Sequence, residues 1–285
     1  MYRTIVGILS SVLILMLVPA SAAAREVISM RGSDTMVILN QRWAENYMAK
    51  VAGVTIQVTG GGSGTGMAAL VNGITDISAS SRDIRPREIE QLTSRYGHPP
   101  LEIPVAQDGV AVYVHESNPI QSLTIQQLKD IYQMRITNWR ELGGADARII
   151  VYSRENNSGT YVFFKEEVLD GEDFPPRVMT LPGTGGVVNA VSQDRNGIGY
   201  GGAAYARRIK PVSIGTEGHE PVPPTPENIA SGLYPLARPL YFYLHSEPTP
   251  TQRRFIDWVL SEEGQSIVVS VGYFPIGSRE EATGE

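Results

Sequence analysis

The chain of 285 residues carries a formal charge of −6, is 42% hydrophobic and contains no cysteine. A net negative field argues against nucleic acid or an anionic membrane as partner, and a cysteine-free protein relies on its core rather than on disulfides. The length allows one large domain or two lobes of ordinary size.

Residues 1 to 24 begin with Arg3, run through apolar residues from Ile5 to Val18 and end in Pro19-Ala20-Ser21-Ala22-Ala23-Ala24. This is the pattern of a secretory signal peptide cleaved near Arg25, and the apolar run is shorter than the roughly 20 residues of a membrane span. Loss of Arg3 takes the charge to −7. With no cysteine for a lipid anchor, the mature chain is expected to be exported, periplasmic or secreted, without inserting in the membrane.

A short strand is predicted at Val27–Met30, then a helix over Met36–Val51 with Met36, Leu39, Trp43 and Tyr47 at helical spacing. Val54–Thr59 alternates as a strand, and Met67 to Val71 opens a helix that Asn72-Gly73 can close. Asp76–Asp83 is a strand running into a polar turn, with Pro86 at the start of the next helix. Two long strand-like stretches, Ile103–Val114 and Ala237–Leu244, are read as crossings between lobes. Between them lie a helix at Thr124–Tyr132, a strand at Ile149–Tyr152, a turn at Ser158 with its helix through Leu169, and a strand at Gly197–Tyr200. A helix over Thr251–Leu260 follows the second crossing, Pro221–Pro226 reads as a surface loop, and 277–285 as a tail. Repeated strand, loop and helix predict an α/β protein with a largely parallel sheet.

Three turns place glycine and hydroxyl residues just before a helical pattern: Gly32-Ser33-Asp34-Thr35, Gly60-Gly61-Gly62-Ser63-Gly64-Thr65-Gly66 and Ser158-Gly159-Thr160. Such turns expose backbone N–H groups at the positive end of a helix and suit a bound anion. Each alone is an ordinary N-cap or loop; three together suggest a shared ligand. The repulsive overall charge means that capture would rest on short-range hydrogen bonds.

Further along, Leu128-Lys129-Asp130-Ile131-Tyr132 leads to Ile136-Thr137-Asn138-Trp139-Arg140-Glu141-Leu142-Gly143-Gly144. Then come Arg154-Glu155-Asn156-Asn157-Ser158-Gly159-Thr160 and Gly197-Ile198-Gly199-Tyr200 with Ala204-Tyr205-Ala206. In their order and spacing these segments resemble the phosphate-binding proteins of bacterial phosphate ABC transporters, over almost the whole mature chain. The resemblance implies an α/β two-lobe type II periplasmic binding protein fold with a ligand cleft between lobes and a two-strand hinge. Lobe I would take 25–107 and 239–276, and lobe II 108–238. It also implies closure on inorganic phosphate, which is then delivered to ABC transporter permease subunits in the inner membrane; separately, nothing in the sequence suggests an obligate assembly, and a monomer is expected.

Carried over by position, the resemblance puts phosphate contacts on Ser33, Thr35, Ser63 and Asp83 from the first lobe and on Arg154, Ser158, Gly159 and Thr160 from the second. The Gly-Ser-Asp-Thr turn differs from the Gly-Ala-Thr-aromatic form in part of the family, so Ser33, Thr35 or both reach the ligand. Hydroxyls and N–H groups offer many donors with little charge, and Arg154 offers a planar pair of donors. Asp83 would accept the proton that phosphate keeps near neutral pH and sulfate lacks, favouring phosphate.

Other readings remain at this stage. The same fold could bind sulfate, molybdate or tungstate, and a secreted phosphatase or serine hydrolase could use Ser63 or Ser158, although neither sits in a Gly-x-Ser-x-Gly elbow. His98, His115, His219 and His245 are scattered, so no metal or cofactor is expected. The aromatics Trp43, Tyr47, Phe163, Phe164 and Trp258 follow helix faces and are read as core.

Overall fold

In the computed structural model, which describes residues 26–276 except Arg207, two groups of buried side chains are joined by a pair of long strands. The expected leader at 1–24 and tail at 277–285 lie outside the described residues. The first lobe opens with β1 (Glu26–Gly32), a 3-10 turn, α1 (Val37–Lys50), β2 (Val54–Thr59), α2 (Ser63–Val71), β3 (Ile77–Ser80) and α3 (Pro86–Tyr96). β1 lies parallel to both β2 and β3, as strand-loop-helix repetition dictates. Leu39, Trp43 and Tyr47 come to one face of α1 and are buried. Trp43 meets Phe242 edge-on at 5.7 Å and Tyr47 meets Phe255 at 5.2 Å, geometry that suits the ring quadrupoles.

β4 (Leu101–Val114) leaves this lobe. The second lobe contains β5 (Ser122–Thr124), α4 (Ile125–Tyr132), β6 (Ile150–Arg154), α5 (Gly159–Glu167), β7 (Met179–Leu181), α6 (Gly183–Gln193), β8 (Gly197–Gly202), β9 (Lys210–Gly215) and α7 (Pro226–Ala230). β10 (Ala237–Leu244) then returns to the first lobe, which α8 (Pro250–Leu260) and α9 (Glu262–Val271) complete. In the second core Phe164 stacks on Tyr200 with centroids 3.9 Å apart, and Tyr132 packs 4.6 Å from Phe164.

The main ladder runs β2-β1-β3-β10-β4-β8-β6-β7. It is more mixed than the sequence pattern predicts, because β10 is antiparallel to β3 and β4, and β4 is antiparallel to β8 and β9. Val105 and Ala106 of β4 belong to the first core, whereas Val110, Val112 and Val114 belong to the second. On β10, Leu240 and Phe242 lie in the first core, and Leu236 just before it lies in the second. The strand pair therefore changes core at Asp108 and Arg238, which face each other in register.

Helix entrances follow local chemistry. Before α8, Thr249 Oγ1 accepts the Gln252 N–H at 3.3 Å while the Gln252 side chain accepts the Thr249 N–H at 2.9 Å, with Pro250 first in the helix. α2 begins at Ser63, four residues before Met67, because Gly62 at φ 91 turns the chain directly into the helix.

Candidate functional site

At the first turn Gly32 has φ 147, and a Cβ there would stand 2.0 Å from the Ala79 carbonyl oxygen, so only glycine lets β1 press this closely on β3. The adjacent Ser33 N–H donates to that same oxygen at 2.8 Å. Its side chain does not cap the turn it precedes; the hydroxyl donates instead to Ser81 Oγ at 2.9 Å. Ser63, the first residue of α2, is fully buried, and its Oγ accepts the Ser81 N–H at 3.1 Å. Three serines from three different segments of the chain thus converge.

The second lobe faces them through the N-terminus of α5. Ser158 is its N-cap, with Oγ accepting the Tyr161 N–H at 3.3 Å. A Cβ on Gly159 would meet Ser63 Oγ at 2.3 Å and Ser81 Oγ at 2.7 Å, so the absent side chain is what lets the helix end approach the serine group. Thr160 Oγ1 lies 2.9 Å from Thr35 Oγ1, a hydrogen bond between the lobes. Further contacts join the walls: Gly64 N–H donates to the Asn157 carbonyl at 2.9 Å, and the Asn157 amide donates to the Gly61 carbonyl at 3.0 Å. Ser33, Thr35, Ser63, Ser158, Gly159 and Thr160 are therefore brought together around the first turns of α2 and α5. Their hydroxyls line the meeting of two helix N-termini as a neutral, hydroxyl-rich cradle, chemistry that suits an anion.

Arg154, at the end of β6, is 1% exposed and borders this group. Its Nη2 donates to Asp34 Oδ2 at 2.9 Å across the lobes and to Glu155 Oε1 at 3.0 Å, Nε donates to Glu155 Oε2 at 3.0 Å, and Nη1 donates to Thr184 Oγ1 at 2.8 Å. Four of its five N–H groups are thereby engaged by the protein, so the two-oxygen grip expected from the sequence would require displacing one of these partners. Asp34 is fixed in turn by the Gly61 N–H at 2.7 Å and by the Tyr205 hydroxyl, which donates to its carbonyl at 2.9 Å. Burial tends to raise the Glu155 carboxyl, yet the hydrogen bonds and charge of Arg154 hold it below its usual value. The Tyr205 hydroxyl is pushed up to about 12 by burial and by the negative charges of Asp108 and Asp34.

Asp83 does not join the cradle. It is exposed, and its carboxylate faces Tyr241 on β10 rather than the serines. The turn after β3 alternates its side chains: Ser81 points inward to Ser33 and Ser63, and Arg82 pairs with Glu88 at 2.6 Å, leaving Asp83 outside. Of the crowded Ser80-Ser81-Arg82-Asp83 segment, it is Ser81 that meets Ser33 and Ser63. The signal for it was its hydroxyl, matching those of the other two turns.

Beneath the two threonines lies a second buried group that sequence reasoning missed. Asp108 is fully buried and Arg238 is 4% exposed; Arg238 donates from Nε and Nη2 to Asp108 Oδ2 at 3.2 and 2.8 Å. Arg238 Nη2 also donates to Thr160 Oγ1 at 2.9 Å. Burial raises the Asp108 carboxyl, with Arg238 pulling the other way. The motif-poor surroundings, Gln107-Asp108-Gly109 and Ala237-Arg238-Pro239, gave no hint that these two would pair.

Two α/β lobes sharing two strands and meeting over buried anion donors define a solute-binding protein of the two-lobe type II class. The model of the PBP superfamily domain matches residues 18–263. A phosphate-binding protein PstS of Pseudomonas aeruginosa is 37% identical over 266 residues, covering 87% of this chain and 82% of the relative. Among solved structures, one described as a phosphate ABC transporter substrate-binding protein with bound phosphate, from Clostridium perfringens, superposes with a TM-score of 0.80 at 34% identity, over 88% of this chain and 100% of the other. An ABC-type phosphate transport receptor from Vibrio cholerae gives a TM-score of 0.71 at 28% identity, over 87% and 100%. The chain belongs to the PBP superfamily and, within it, to the family of the PstS phosphate-binding proteins.

Proposed function

We propose that this protein captures inorganic phosphate between its lobes on the outer side of the bacterial inner membrane and hands it to the permease subunits of an ABC transporter. The observation that carries this reading is the meeting of Ser33, Ser63 and Ser81 with the N-terminus of α5 across the cleft, in a family whose relatives are named for phosphate. Ser33, Thr35, Ser63, Ser81, Ser158, Gly159 and Thr160 are the proposed contacts, with Arg154 at the rim and Asp83 withdrawn. Lobe I comprises 25–107 and 239–276, and lobe II 108–238, with the crossing at Asp108 and Arg238.

The role is capture rather than catalysis. Ser63 Oγ accepts the Ser81 N–H, and Ser158 Oγ accepts the Tyr161 N–H; a backbone amide cannot take a proton from a serine, so neither hydroxyl is activated by these partners. Serine and threonine hydroxyls both donate and accept, so they can meet the protonated and bare oxygens of phosphate alike. Titration calorimetry on the purified protein is expected to show one phosphate per chain and no turnover of a chromogenic phosphate ester. A protein that binds no phosphate would defeat the reading.

A further inference from the structure

Thr160 meets two partners of different character. Its Oγ1 lies 2.9 Å from Thr35 Oγ1 and receives an N–H from Arg238 Nη2 at 2.9 Å. All three residues are buried, at 0%, 1% and 4% exposure. A threonine hydroxyl has one proton and two lone pairs, whereas a guanidinium only donates. The Arg238 bond therefore occupies one lone pair of Thr160, stops the hydroxyl rotor from turning its proton toward Arg238, and polarises the O–H bond.

Arg238 is itself immobilised. Asp108, directly opposite on β4, takes two of its N–H groups on one oxygen, and the guanidinium sits 5.2 Å from the ring centroid of Phe163, one turn along α5 from Thr160. The anchor comes from the two strands that cross between the lobes, while the hydroxyl it orients belongs to α5 of the second lobe and faces Thr35 of the first.

We propose that Arg238, held by Asp108, is a positioning residue for anion binding that occupies one lone pair of Thr160, so that the Thr35–Thr160 pair presents one hydroxyl proton to the cleft. Within the pair formed by Thr35 and Thr160, one hydroxyl donates to the other, and the remaining proton is left for an outside acceptor. If Thr35 donates, both lone pairs of Thr160 are filled and the Thr160 proton is the one presented; if Thr160 donates, Thr35 presents its own. Arg238 fixes this arrangement before the ligand arrives, so that little ordering remains to be done on binding.

This inference rests on the cleft being the phosphate site, and its test separates the two. Asp108→Asn with Arg238→Met removes both charges together, so that no buried ion is left alone, and is made in the wild-type and Thr160→Val backgrounds. Calorimetry with inorganic phosphate, raised until the weakest variant saturates, reads the affinity, and the melting temperature without phosphate is read in parallel. The paired change is expected to weaken binding about tenfold when Thr160 is present and to have no further effect once it is valine. An equal loss in both backgrounds, or no loss in either, would overturn the positioning role. Should the paired variant not fold, Arg238→Lys with Asp108 retained goes through the same cycle and is judged by the same outcomes. Wild-type protein that binds no phosphate would instead overturn the reading of the cleft.

Discussion

Ser81 and Asp83 are two residues apart and face different surroundings, one buried among hydroxyls and the other exposed beside Tyr241. Removing the Ser81 hydroxyl leaves Ser33 without its acceptor and the cradle short of one group, a loss of about 1–3 kcal/mol, or roughly five- to hundredfold in phosphate Kd. Ser81→Ala is expected to show that loss in calorimetry, and Asp83→Asn to bind within about twofold of wild type, a difference that does not rise above ordinary context effects. At Glu155 the sign of the pH effect follows from its lowered carboxyl. The folded state favours the ionised form, so its contribution to stability is present above the ordinary value of 4.5 and is lost as pH falls through the lower folded value. The difference in melting temperature between wild type and Glu155→Gln should therefore be visible at neutral pH and shrink below about pH 4.5.

The helices set the cleft through their ends rather than their sides. α5 contributes an N-cap serine worth about 1 kcal/mol to the helix, and its next residue is glycine where any side chain would enter the serine group. Alanine is favoured over glycine inside a helix by roughly 1 kcal/mol, so Gly159→Ala does not harm α5 itself; its methyl strikes Ser63 and Ser81 instead, and the variant is expected to lose phosphate binding and to melt below wild type while keeping its helix content by circular dichroism. That combination distinguishes a blocked cleft from a damaged helix. The same element explains what was legible. Ser158-Gly159-Thr160 could be read because capping and anion binding use the same short-range chemistry. Asp108 with Arg238, and Asp34 with Arg154, could not, because 130 and 120 residues separate the partners and no local pattern records a pairing made only by the fold. α6 also escaped, since Gly183-Thr184-Gly185-Gly186 opens it with poor helix formers. Three-residue strands such as β5 and β7 are too short to show an alternation.

At the level of the molecule, the lobes were foreseeable from two long apolar stretches placed far apart in the chain, whereas the mixed strand directions were not. Direction depends on which neighbour a returning strand chooses, and β10 chose both β3 and β4. That choice gives one ladder of eight strands spanning both cores rather than two separate sheets.

Because β4 and β10 each supply side chains to both cores, neither half can come apart without stripping the strands from the other. Heating the protein in a scanning calorimeter should then give a single endotherm whose van't Hoff and calorimetric enthalpies agree, where two independently folding modules would melt in two steps. The two-lobed molecule would in this way still break as one piece.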